Sequence, residues 1–368
     1  MTATDTQFAQ HLSTQRVPAE ERAAILADPG FGNFFTDHTA IVDFRTDEAG
    51  VGGWRDARLE PYGPIALDPA AAVLHYGQEI FEGMKAYRHA DGSIWTFRAD
   101  ANAARLNRSA IRLALPQLPE ELFLESLRQL VAADQDWIPS GDGESLYLRP
   151  FMIATEAFLG VRPAREVSYR VIASPAGNYF GGEVKPVDIW VSRNYARAGR
   201  GGTGAAKAGG NYASSLAAQL EAEAHGCKQV LFLDQFNDNA VEELGGMNVF
   251  FVYRDGSMVT PALSGTILEG VTRSSVIQLG RDRGAEVTER TITLDEWRTG
   301  VESGEITEVF ACGTAAVITP IGRLRDGDEF IGAENAQPGE VTMAIRSQLL
   351  GIQTGAVEDT HGWLTRLV

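Results

Sequence analysis

The stretch "KAYRHADGSIWTFR", Lys85 to Arg98, sets two alternating apolar runs on either side of Asp91-Gly92. Asp-Gly provides the backbone that a tight hairpin loop requires, so both runs are committed to an antiparallel sheet. A second hairpin is read at "NVFFVYRDGSMVTP". Helical patterns are interspersed with them. "ADANAARLNRSAIRLALP" is predicted as a helix closed by Pro116, with Ala104, Leu106, Ile111 and Leu115 among its apolar positions. "PEELFLESLRQLVAADQDW", "ASSLAAQLEAEAHG", ending at Gly226, and "EGVTRSSVIQLGRDRG" are further helices. "SLYLRPFMIAT", "SYRVIAS", "VDIWVSR" and "KQVLFLD" read as strands, and "EITEVFACGTAAVITPIGRL" as strand, loop and strand. Hairpins outnumber regular βαβ units, which predicts an α+β arrangement. The Gly- and Pro-rich "SPAGNYFGGEVKP" is the linker expected between a small N-terminal domain, residues 1–173, and a larger C-terminal domain, residues 187–368, with the linker itself at residues 174–186.

The 368 residues suffice for about two domains with a full core. No apolar run approaches the roughly 18 residues that span a bilayer, and the polar N-terminus carries neither the basic nor the apolar region of an export signal. A cytoplasmic protein without membrane contact is expected. A formal charge of -17 repels phosphate backbones and argues against a nucleic-acid partner. Cys227 and Cys312 are isolated, and the six histidines form no ligand pair at helical spacing, so no metal site is expected.

Basic residues total 32, yet only Lys85, Lys185, Lys207 and Lys228 are lysines. Lys207 lies in "GRGGTGAAKAGGNYASS", surrounded by glycine and alanine. A phosphate-binding nucleotide loop needs Gly before the lysine and Ser or Thr after it, but Ala206 and Ala208 stand there. The dinucleotide fingerprint fails as well, because Lys207 occupies the place of its third glycine. Two readings stay level on the loop alone: a flexible surface loop, or a Schiff-base lysine whose small neighbours let a planar cofactor lie against the backbone. The other lysines offer less. Lys228 follows a helix end, Lys185 precedes Pro186, and Lys85 lies in a hairpin strand where it can alternate outward.

A pyridoxal phosphate site needs an acid for the pyridine nitrogen and a cup for the phosphate. "VEELGGMNVFF" offers Glu242 and Glu243 at the entrance to a strand, "LEGVTRSS" offers a helix start with Thr272, and "CGTAA" offers a loop of small residues.

The segments "HYGQEIFEGMKAYR", "SLYLRPFMIATE", "KAGGNYASS", "ELGGMNVFF", "GTILEGVTRSS" and "FACGTAAVITP" together resemble the branched-chain amino acid aminotransferases, which are fold-type IV pyridoxal phosphate enzymes. The resemblance runs from about Phe31 to the C-terminal segment. It implies a small α/β domain, a larger pseudo-barrel domain, a cofactor held between them and a homodimer. By position, Lys207 matches the lysine that carries the cofactor and moves the substrate proton, and Glu243 matches the partner of the pyridine nitrogen. Tyr212 matches the tyrosine near the phenolic oxygen. Arg105, Val271, Thr272 and Thr314 match the phosphate cup. Phe31, Tyr76, Phe81, Tyr147 and Tyr179 resemble the side-chain pocket, with Leu159 reaching in from the second subunit. Gly246 and Ala315 fall where the family binds the substrate carboxylate. Where some relatives carry threonine this chain has Gly246, and Ala316 and Thr319 replace the redox-active Cys-x-x-Cys of mammalian relatives. The implied reaction exchanges the amino group between L-leucine, L-isoleucine or L-valine and 2-oxoglutarate, giving L-glutamate and branched-chain 2-oxo acids. Arg149, two residues from Tyr147 on a predicted strand, is the expected cation for the second carboxylate of 2-oxoglutarate or glutamate.

Overall fold

The computed structural model describes residues 8–141, 143–177, 184–234, 236–237 and 239–368. The chain forms two compact units, one drawn from Met1–Gly181 with Ala206–Gly209 and Ile352–Val368, the other from Gly182–Ala205 with Gly210–Gly351. The short segment carrying Lys207 and the C-terminal tail thus belong to the first unit.

The first unit is built on a nine-stranded sheet. The predicted hairpin is there: Met84–Arg88 pairs antiparallel with Ile94–Phe97, and the turn closes through His89 and Ser93 with Gly92 at φ 86. Beside it runs Ser145–Ala154. Leu146, Leu148 and Met152 are fully buried, whereas the alternate residues Tyr147, Arg149, Phe151 and Ile153 stay partly exposed on the opposite face. The buried side chains join a core with Leu106 of the helix Ala99–Arg112 and with Phe123, Leu127 and Leu130 of the helix Glu120–Ala133. The other face of the strand is not covered by this core.

Two local expectations change. The helix Ala99–Arg112 stops four residues before Pro116, where Ala114 turns the chain at φ 52. Ile111, expected on its apolar face, is 61% exposed. Ser174, Pro175 and Ala176, expected in the linker, continue the strand Glu166–Ala176 opposite Tyr147, Leu146 and Ser145. Pro175 fits because the ladder to His38–Thr46 ends at Val171, and the contacts beyond it, Thr36 N–H to Ala173, the Phe31–Ala176 bridge and Gly177 N–H to Gly30, need no N–H from residue 175. Part of the remaining linker segment lies outside the described residues.

The second unit holds another nine-stranded sheet, with both parallel and antiparallel pairs. Its central strands are apolar on both faces: Asn248–Tyr253 and Ile306–Gly313 pair through Phe250 and Phe310, whose rings stack at 5.2 Å. The predicted helix Leu216–Ala224 ends before Gly226, which takes φ 75. Val271–Asp282 and Leu294–Ser303 are further helices of this unit. Mixed helix and strand in both units give the α+β class expected. Among the described residues no helix is long and apolar enough to cross a membrane, and no cluster of acidic, histidine or cysteine side chains could hold a metal ion.

Phe123 is fully buried in the first core, 6.2 Å from the ring of Tyr169. Phe123→Ala is expected to cost about 3–5 kcal/mol of unfolding free energy, while Ile111→Ala stays within about 0.5 kcal/mol. Urea titration monitored by far-UV circular dichroism checks both. A loss below about 1 kcal/mol for Phe123→Ala contradicts the core described here.

Candidate active site

Lys207 does not lie on a loose loop. Its N–H donates to Ser109 Oγ at 2.9 Å, and its carbonyl accepts from Phe81 N–H at 3.0 Å. Ala206 and Ala208 on either side are buried. Small residues are therefore needed because the segment packs closely between the helix Ala99–Arg112 and the strand Glu79–Phe81. The side chain is directed over Phe81, with Nζ 4.7 Å from the ring centroid. Ser109 was not anticipated, though Arg105 and Ser109 sit one turn apart and so share a helix face.

Arg105 is buried and fixed by a two-pronged ion pair: Nε donates to Glu82 Oε1 at 2.8 Å and Nη2 to Glu82 Oε2 at 2.7 Å. Glu82 is itself fully buried. Two desolvated charges in this geometry compensate each other and hold the guanidinium in one orientation. Glu82 had one visible signal, an acid within the apolar run "EIFEGM".

The exposed face of Ser145–Ala154 gathers the expected pocket residues. Phe31 meets Tyr147 edge-on with ring centroids 5.0 Å apart. Arg149 Nη2 donates to the Tyr147 hydroxyl at 3.0 Å, and its guanidinium lies 4.7 Å from the Phe81 centroid and 5.3 Å from that of Tyr147. Gly83 is required here, since a Cβ on it would stand 2.1 Å from the Tyr147 hydroxyl. Arg149 makes no ion pair among the described residues, and its buried Nε has no hydrogen-bond partner there. Tyr76 and Leu159 form a separate, exposed group: the Tyr76 hydroxyl donates to the Leu159 carbonyl, and the Tyr76 ring lies 6.3 Å from Phe158. Tyr179 lies outside the described residues. Lys85, expected to point outward, is instead buried on its strand.

In the second unit, Glu243 is buried on the strand Ala240–Leu244. Its Oε1 lies 2.7 Å from Arg197 Nη1 in an ion pair and accepts from Leu268 N–H at 2.7 Å. Its neighbour Glu242 has a different environment. Burial pushes the Glu242 carboxyl above the usual range, against a hydrogen bond from the Thr266 hydroxyl, and Asp234 raises it further. Of the two acids, Glu243 is the one paired with a buried cation. Arg197 was not anticipated, and one arginine among 28 carried no distinguishing mark in sequence.

The helix Val271–Asp282 opens after Gly270 with no side-chain cap, and Val271 and Thr272 are buried at its first turn. Gly270 is obligatory, because a Cβ there would stand 2.1 Å from Asn248 Oδ1. Thr314 and Ala315 lie in the turn that joins Ile306–Gly313 to Val317–Asp326. Val317, at the end of that turn, sits at φ 58, a costly conformation for a β-branched residue. Gly246 is close to two of these groups: a Cβ on it would be 3.7 Å from the Tyr212 ring, and one on Gly313 would be 3.4 Å from the Gly246 carbonyl.

The second unit also fits an anionic cofactor. Arg197 is 3% exposed, yet its Nε and Nη2 have no hydrogen-bond partner among the described residues. Buried guanidinium donors call for an acceptor, and an uncapped helix start presents backbone N–H groups to an anion. Pyridoxal phosphate has a phosphate acceptor to match these donors, and its ring nitrogen calls for an acid such as Glu243.

The family described as amino-transferase class IV matches residues 79–324. The chain belongs to the class IV aminotransferases. Among relatives of this class, a branched-chain-amino-acid aminotransferase of Mycolicibacterium smegmatis is 57% identical over 365 residues, 98% of each chain. One of Mycobacterium tuberculosis is 56% identical over 371 residues, covering both chains completely. Solved structures agree on the fold. The Escherichia coli branched-chain amino acid aminotransferase superposes with a TM-score of 0.73 at 30% identity, over 84% of this chain and 97% of that one. The branched-chain aminotransferase of the thermophilic archaeon Thermoproteus uzoniensis, solved with norvaline, gives 0.72 at 28% identity, over 89% and 100%. This class IV aminotransferase therefore has the α+β architecture of the fold-type IV pyridoxal phosphate enzymes.

Removing one partner of a buried ion pair leaves the other charge uncompensated. Arg197→Met is expected to destabilise this aminotransferase by about 3–5 kcal/mol, and adding Glu243→Gln should recover more than half of that loss. Urea unfolding of the two variants and the parent measures it. Additive losses in the double variant would show that the pair is not coupled.

Proposed function

We propose that this chain is a branched-chain amino acid aminotransferase that moves the amino group of L-leucine, L-isoleucine or L-valine to 2-oxoglutarate. The family supplies the activity and the cofactor. The observation that carries the substrate reading is the group of side chains around Lys207 Nζ in the first unit: apolar rings of Phe31, Phe81 and Tyr147 beside Arg149, a cation without an ion pair among the described residues. An apolar lining accepts a branched side chain, and an uncommitted guanidinium accepts a second carboxylate. A transaminase with these two substrates needs both.

Bound pyridoxal phosphate supplies the carbonyl that takes up the amino group and a ring that draws electrons from the substrate Cα. Lys207 Nζ would hold the cofactor through that carbonyl carbon, with loss of its oxygen as water, and as a free amine would take up and return the substrate Cα proton. The backbone bonds of Lys207 to Ser109 and Phe81 fix the base of that side chain and so limit where its amine can act. Glu243 serves the ring nitrogen, with Arg197 holding its carboxylate in place. Arg105, Thr314 and the backbone of Val271 and Thr272 serve the phosphate. Tyr212 serves the phenolic oxygen. Gly246 and Ala315 offer backbone groups to the α-carboxylate, so the hydroxyl that threonine would bring at Gly246 is replaced by main chain. The family resemblance assigns Tyr76 and Tyr179 to the side-chain pocket and Leu159 to the site of a second protomer. The exposure of Leu159 and Val161 supports such a homodimer. A two-domain division, its linker beginning after the strand end at Ala176, and a cytoplasmic location belong to the same reading.

Assay of the purified, cofactor-loaded protein with 2-oxoglutarate should give glutamate from L-leucine, L-isoleucine and L-valine and little from D-alanine. Preference for D-alanine overturns the assignment. Arg149→Met should raise KM for 2-oxoglutarate by roughly 30-fold or more, the equivalent of about 2–5 kcal/mol, while the leucine half-reaction changes about threefold or less. Equal losses in the two half-reactions, followed separately by single-turnover absorbance, would make Arg149 a structural residue.

A further inference from the structure

We propose that Glu79 sets the balance between apolar and acidic substrates, acting as counter-charge to Arg149 whenever no second carboxylate is bound. This rests on the reading of Arg149 given above. The strand Glu79–Phe81 pairs antiparallel with Ser145–Ala154, Glu79 opposite Ile153 and Phe81 opposite Phe151. Alternation then puts Glu79 and Phe81 on the same face as Phe151, Arg149 and Tyr147. That face is otherwise cationic. Arg149 and Lys207 both lie over the Phe81 ring, and Lys85 stands opposite Tyr147 in the neighbouring register. Glu79 is the acid brought into this group by the sheet.

The carboxylate has a built seat. It accepts the N–H of Gly209, two residues beyond Lys207, and a Cβ on Gly209 would stand 1.9 Å from Glu79 Oε1. A side chain at residue 209 would push the carboxylate out of this seat. Arg149 is held differently, by two ring faces and one phenolic hydroxyl, and its charge acts on Glu79 without a direct ion pair. Burial works against the ionised carboxylate and raises its pKa, opposed by the Gly209 N–H and by Arg149.

The energetic consequence differs between substrates. With a leucine side chain bound, Arg149 is covered by apolar groups and has no ligand, so the nearby negative charge of Glu79 offsets the cost of burying it. With 2-oxoglutarate or glutamate bound, the second carboxylate meets Arg149 directly and is repelled by Glu79. Specificity is the difference between these two affinities. Neutralising Glu79 should therefore favour the diacid and disfavour the branched side chain, moving the two affinities apart.

Isothermal titration of the cofactor-loaded enzyme with two unreactive analogues, glutarate and 4-methylpentanoate, reads that difference without turnover. Glu79→Gln is expected to shift the ratio of the two dissociation constants roughly tenfold toward glutarate. Glu79→Asp, which keeps the charge, should hold the ratio within about threefold of the parent. Equal weakening of both analogues, or an unchanged ratio in Glu79→Gln, overturns the proposal, because a role confined to seating Gly209 moves both affinities together. Arg149→Met is the control for the underlying reading. If it leaves glutarate binding intact, Arg149 is not the diacid ligand and the role of Glu79 falls with it. If it abolishes glutarate binding while Glu79→Gln changes nothing, Glu79 alone is refuted.

Discussion

The backbone of Lys207 is held on both sides, by Ser109 through its N–H and by Phe81 through its carbonyl. Both hydrogen bonds depend on elements that must already be in place. The helix Ala99–Arg112 presents Ser109 only when its apolar side is docked on the sheet, and the strand Glu79–Phe81 presents its N–H only when paired with Ser145–Ala154. The position of the Lys207 amine is thus a readout of the first unit's core packing. Its glycine and alanine neighbours follow from the same constraint, because Ala206 and Ala208 are buried and Gly209 must admit a carboxylate.

Buried charge is the second organising theme. Arg105 with Glu82, and Arg197 with Glu243, are desolvated pairs that replacement by apolar side chains could match or exceed in stability. Their value is orientation. Each fixes a group assigned to the cofactor in the proposed function, a guanidinium in one case and a carboxylate in the other. Arg149 is the contrasting case, lying against aromatic faces with a buried Nε that has no partner among the described residues. A cation kept in this way can serve a carboxylate that arrives and leaves, whereas a cation locked to an acid cannot.

Local chemistry was the readable part of the sequence. Asp91-Gly92 fixes a hairpin within a few residues, and Gly226 ends a helix by its own conformational freedom, so both appear where the pattern placed them. Lys207 stood out because arginine replaces lysine nearly everywhere else. Arg197, Ser109 and Glu82 were not legible, since their meaning comes from partners remote in sequence or from a helix face whose docking is a tertiary event. Lys85 was misread for a related reason: alternation assigns a side chain to one of two faces, but only the fold says whether that face is covered. Pro175 looked like a break because proline usually ends a strand, yet the loss of one neighbouring ladder beyond Val171 makes room for it.

The central claim is that Lys207, among four lysines, is the one that carries the cofactor. Reduction of the loaded enzyme with borohydride, followed by proteolysis and mass spectrometry, tests it directly, because a Schiff base is converted to a stable pyridoxyl-lysine wherever it stands. The account predicts a single labelled peptide containing Lys207, with no label retained after reduction of Lys207→Ala. Stoichiometric label on Lys85, Lys185 or Lys228 would contradict it.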